Sequence, residues 1–115
     1  MALETLPVYQ NEIMPVAKNW EAIAYSGTTG NEIKVQAEVS NGSASGVPHL
    51  RKRSPQGFVT TILQLDLINA GAADQENFRP ITYVEKIVEI STYTHVELFY
   101  GNDKIEGIPV QITGR

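Results

Sequence analysis

His95 and Glu97 stand two residues apart in a run of β-branched and aromatic residues, so on an extended chain an imidazole and a carboxylate project from one face. Their Cα atoms would lie about 6 to 7 Å apart, near enough for the two groups to share a metal ion or a proton. Asp66, in a second apolar alternating stretch, could join them if the two stretches are neighbours. Such a trio would support metal-dependent or acid–base chemistry centred on His95 and Glu97. Transition-metal sites usually take three or four ligands, however, and the other histidine, His49, has no ligand-spaced neighbour. A solvent-facing polar stripe accounts for the same residues.

Arg51-Lys52-Arg53 holds three of the nine lysines and arginines and follows His49 between Pro48 and Pro55. A local basic patch of this kind can grip a phosphate, an acidic protein segment or RNA. Tyr93 and Phe99 could stack bases beside it, but they form no RNA-binding signature. Ser54-Pro55 makes the stretch resemble a phosphorylation target, and a dibasic pair in an exposed loop is open to proteases. Asn41-Gly42-Ser43 is formally a glycosylation acceptor, but its Asn-Gly is better explained as turn chemistry.

Trp20, Tyr25, Tyr83, Tyr93 and Tyr100, with Asn102 and Asp103, are the ingredients of a carbohydrate or small-ligand site. In such sites rings stack on apolar faces while amides and carboxylates fix hydroxyls. In a β-rich chain the same rings serve first as core and cross-strand residues. The candidate binding residues are therefore Trp20, His49, Arg51, Lys52, Arg53, Tyr93, His95, Glu97, Phe99, Tyr100 and Asp103. No catalytic residue, metal site or cofactor is assigned.

Composition narrows the function classes. The chain has no cysteine, which removes thiol chemistry and disulfides, and neither histidine sits near a nucleophile-elbow pattern. A net charge of −4 disfavours a general nucleic-acid binder, whose affinity comes from many phosphate contacts. Met1 to Gln10 lacks the basic and apolar regions of a signal peptide, and no apolar run of about 18 residues suggests a membrane span. With no cysteine, the expected location is the cytoplasm.

The elements that must position these residues are strands. Ile33, Val35, Ala37 and Val39 alternate with Lys34, Gln36 and Glu38, a half-buried strand that Ser26 to Asn31 joins to Trp20–Tyr25 in a hairpin. Ile13, Val16, Ala17, Trp20, Ile23 and Ala24 also fit a helical stripe, so a helix around residues 15–25 is the alternative. Phe58 to Ile68 reads as one strand with Leu63, Leu65 and Leu67 inward and Ile62 and Ile68 outward. Residues 41–56 and 69–80 read as long loops.

The uninterrupted run Ile81 to Gly101 would span roughly 70 Å as one strand, so a break at Ser91-Thr92 is expected. In its first half, Val84 and Val88 oppose Glu85 and Ile87, which places Ile87 toward solvent. Ile108, Val110 and Ile112 form a last strand in which Pro109 demands an edge or a bulge.

Together these predict one domain over residues 1–115: an all-β, antiparallel β-sandwich, with α+β as the alternative if residues 15–25 are helical. The expected function is a non-catalytic binding or assembly module presenting loops 41–56 and 69–80 to a protein partner. Self-association is a related expectation, motivated by Ile62, Ile68, Ile87 and Phe99 on faces assigned to solvent. A small-molecule or glycan binder and an acid–base or metal enzyme are the alternatives.

Overall fold

The computed structural model describes residues 17–40, 47–70 and 78–113. Eight strands follow in chain order: β1 (Ala17–Gly27), β2 (Gly30–Ser40), β3 (His49–Lys52), β4 (Ile62–Ile68), β5 (Phe78–Ile87), β6 (His95–Tyr100), β7 (Asp103–Pro109) and β8 (Gln111–Ile112). They form two four-stranded sheets, sheet I ordered β5-β2-β1-β8 and sheet II ordered β3-β4-β6-β7. No helix occurs among the described residues, so the all-β reading holds and the helical alternative for residues 17–25 does not. Among the described residues no helix is long and apolar enough to cross a membrane, which says nothing of strand-built membrane proteins.

Alternation fixes which side of each sheet is buried. In β2, Ile33, Val35, Ala37 and Val39 are all buried, as are Leu63, Leu65 and Leu67 in β4 and Val96 and Leu98 in β6. These inward faces pack together as one core, joined by Ala22 and Ala24 of β1. The hairpin closes at Gly27↔Gly30, where Gly30 takes a positive φ of 122°. A side chain would meet nothing there, so glycine is needed for its backbone freedom. A bulge between Lys18 and Glu21, with Asn19 at φ 60°, lets Trp20 pack against the core beside Ala22 and Ala24.

Several expectations are corrected. The sheets are mixed: β4 pairs with β6 in parallel, and β1 with β8. After β4 the chain crosses to sheet I for β5 and returns beside β4, the kind of round trip that parallel neighbours require. The basic triplet lies mostly in edge strand β3 and not in a continuous loop. β4 begins only at Ile62, leaving Phe58 and Val59 exposed.

The long run does break between β5 and β6, with Ser91-Thr92 in the connection. The face of β5 is inverted, however: Ile81 and Ile87 are buried while Val84 is 50% and Val88 88% exposed. The last strand is two strands, β7 in sheet II and β8 in sheet I, with the crossing at Val110 after Pro109. The expected turn at Asn41-Gly42-Ser43, the part of the helical stripe before Ala17 and the middle of the 69–80 loop lie outside the described residues.

Candidate functional site

The parallel register of β4 and β6 sets Ile62 beside His95, Gln64 beside Glu97 and Asp66 beside Phe99. All six lie on the side of sheet II away from the core, since the intervening Leu63, Leu65, Val96 and Leu98 are buried. β3 adds Arg51 opposite Asp66 and His49 opposite Ile68. β7 adds Lys104 opposite Phe99 and Gly107 opposite Glu97. One continuous face thus gathers His49, Arg51, Arg53, His95, Glu97 and Phe99 from the sequence candidates.

At one end of this face Arg53 is held by three kinds of contact. Its guanidinium donates to Asp66 Oδ1 at 2.5 Å and to the Gly101 carbonyl at 3.1 Å, and it lies 4.2 Å over the Phe99 ring. A planar guanidinium can stack on a ring while its edge donates to oxygens, which a lysine ammonium cannot do. Arg51, the cross-strand neighbour of Asp66, is exposed and has no ion pair among the described residues. A groove of about 350 Å³ is lined by Arg51, Arg53 and Asp66 together with Ser54, Pro55, Gly101 and Asn102.

The segment after β3 is fastened by Gln56. Its side-chain amide donates to the Gln64 carbonyl at 2.9 Å and accepts from the Gln64 N–H at 2.9 Å. The Arg53 N–H donates to the same carbonyl at 2.9 Å. Backbone and side chain together thus stand in for the strand that β3 ceases to provide, and satisfy groups that would otherwise be unpaired.

At the other end, Glu97 accepts from Gln64 Nε2 at 2.9 Å and from Lys104 Nζ at 3.4 Å. The Gln64 hydrogen bond, opposed by partial burial and helped by Lys104, holds its carboxyl below the usual range. His95 Nδ1 lies 3.0 Å from the Thr94 hydroxyl. His95, Glu97, Lys104 and the side-chain-free Gly107 line a second hollow of about 350 Å³. Asp66 is committed to Arg53 at the far end of β6, and among the described residues no three His, Asp or Glu side chains group to hold a metal.

Lys52 leaves the triplet for the opposite side of β3. It bonds Glu85 at 3.2 Å and the Tyr93 hydroxyl at 3.3 Å, while Tyr83 and Tyr93 donate to Glu85 at 2.6 Å and 2.8 Å. Burial alone would raise the Glu85 carboxyl, but these three donors outweigh it and hold it low. Burial and then Glu85 push both tyrosine hydroxyls up, and Lys52 is held up by Tyr93 and Glu85 against the opposing effect of burial.

The aromatic set is dispersed. Trp20 and Tyr100 pack against the core, Tyr100 also donating to the Ala70 carbonyl, while Tyr25 donates to Glu32 on the outer side of sheet I. Asp103 is exposed where β7 begins. Neither hollow of sheet II is lined by any of these four. Sequence reasoning missed Gln56, Gln64 and Lys104. Alternation in β4 does point Gln64 outward with Asp66, whereas nothing local marks Gln56 or Lys104. No protein-family model, curated protein or solved structure matches the chain.

Proposed function

We propose that the protein is a non-catalytic binding module that presents the outer face of sheet II to an acidic segment of a protein partner. The observation that carries this is the pairing of Arg53 with Asp66 and Phe99, which leaves Arg51 beside it exposed and without an ion pair among the described residues. In a chain of net charge −4, this concentrates unpaired positive charge where a groove is open. Charge complementarity of this kind sets partner choice and association rate. A binding role also accords with Glu97, whose lowered pKa suits an ion-pair partner better than a general acid. A cytoplasmic partner is consistent with the lack of cysteine.

Fluorescence anisotropy with labelled acidic, neutral and basic peptides of one length tests the proposal. Acidic peptides bind, and binding weakens as salt rises from low to physiological concentration. A preference for basic or neutral peptides, or no response to any, overturns it.

Self-association is a second reading, favoured by Phe58, which is fully exposed, and by Val88, 88% exposed. The Thr94 N–H donates to the Thr61 carbonyl, which brings the chain following Phe58 beside the connection that carries Val88. Sedimentation would show a dimer that Phe58→Ser dissociates. A monomer at micromolar concentration rules the reading out.

A further inference from the structure

We propose that the groove between Pro55 and Gly101 is a seat for one carboxylate, with Arg51 as its principal cation; this deepens the acidic-partner reading and rests on it. Three charged side chains line the groove: Arg51, Arg53 and Asp66. Arg53 and Asp66 neutralise each other, so the net local charge is that of the Arg51 guanidinium. One carboxylate balances it. A phosphate group, at about −1.5 to −2, would leave excess negative charge beside the Asp66 carboxylate.

The geometry favours the same ligand. A guanidinium fork matches a carboxylate with two parallel hydrogen bonds, and Arg51 projects from a paired strand position that fixes its base. Arg53 is held in place by Asp66, Gly101 and Phe99, with both of its hydrogen bonds made from Nη1, so it forms a fixed wall of the groove whose charge Asp66 offsets. Pro55 and Ile68 supply apolar surface for the methylenes of an acidic side chain, and Ser54 and Asn102 add neutral polar groups at the rim. Lys52, pointing to the other side of β3, takes no part. The carboxylate can come from an aspartate or glutamate side chain or from a chain terminus.

Amide-resolved NMR titration of the folded protein tests this with four probes: acetyl-Gly-Gly-Asp-Gly-Gly-amide, acetyl-pentaglycine with a free C-terminus, acetyl-Gly-Gly-Lys-Gly-Gly-amide and inorganic phosphate. The amides of Ser54, Gly101 and Asn102 shift with at least one carboxylate peptide and not with the lysine peptide. Response to the aspartate peptide identifies a side-chain carboxylate as the source, and response to pentaglycine a terminal one; either supports the seat. Arg51→Ala, an exposed substitution, keeps the dispersed spectrum and weakens binding about tenfold or more, with Arg51→Lys only partly restoring it.

The seat is overturned if Arg51→Ala binds as tightly as the parent protein, or if phosphate shifts these amides at lower concentration than both carboxylate peptides. Carboxylate-dependent shifts confined to His95, Glu97 and Lys104 would overturn the seat while leaving the acidic-partner face intact. Silence with every probe overturns the seat, and the acidic-partner face falls with it only if the longer acidic peptides also fail to bind.

Discussion

Lys52 of β3 reaches Glu85 of β5, tying the edge strand of one sheet to the edge strand of the other. Edge strands expose unpaired backbone groups and invite pairing with other chains, and an inward-pointing charge is one natural safeguard. Here Glu85 is that charge, and Tyr83, Tyr93 and Lys52 make its burial tolerable.

Removing the carboxylate should cost more than removing the ammonium. Glu85→Ala leaves two partly buried tyrosine hydroxyls short of an acceptor, at a cost of about 2 kcal/mol. Lys52 is 43% exposed and its loss leaves Glu85 with both hydroxyls, so Lys52→Ala costs less than about 1 kcal/mol. Urea denaturation of the two variants checks the order. Equal losses would show that the cluster is not centred on Glu85.

The same group shapes the pH dependence of stability. The Glu85 pKa is lower folded than unfolded, so its contribution is fully present above the unfolded value of about 4.3 and is lost as pH falls through the folded value. Tyr83 and Tyr93 are raised, so theirs is present below about 10 and is lost as pH rises through their folded values. Melting temperature should therefore fall on both the acid and the alkaline limb, and Glu85→Gln should flatten the acid one. An unchanged acid limb in Glu85→Gln would assign it to other carboxylates, Glu97 among them.

The inverted face of β5 has a direct test. Ile87 is 8% exposed and Val84 50%, so Ile87→Ala should cost about 2 to 3 kcal/mol while Val84→Thr stays within about 0.5. Denaturation midpoints with unchanged slopes decide it. The opposite order would return Ile87 to solvent.

β2 was legible in the sequence because Ile33, Val35, Ala37 and Val39 alternate as an unbroken apolar, buried set. β5 was not, because the pattern counts Glu85 as a solvent residue, whereas the Tyr83 hydroxyl on the same strand, the Tyr93 hydroxyl and the Lys52 ammonium of β3 satisfy it inside. That His95 and Glu97 share a face follows from a period of two. The meeting of Arg53 with Phe99 depends on the parallel register of β4 and β6, a long-range pairing that no local pattern encodes.

Gln56 should act as a removable piece of strand. Gln56→Ala frees the Gln64 N–H, so that amide should exchange with solvent roughly tenfold faster while β4 amides bonded only to β6 keep their protection. Hydrogen exchange by NMR separates the two sets. Uniform acceleration would mean global destabilisation and no local role for the side chain.

The crossing at Pro109 and Val110 bears on the order in which the molecule can assemble. β8 lies against β1, with Gln111 paired to Ile23 and Ile112 to Ala24, so nearly the whole described chain separates two neighbouring strands. Their contact cannot form while the chain is still being extended through β7. Loop-closure entropy falls due before that contact returns anything, which is the signature of slow, non-local folding. An N-terminal fragment ending at Tyr100 would carry β1 with one flank bare, and it should remain aggregation-prone until the final strand arrives to seal it.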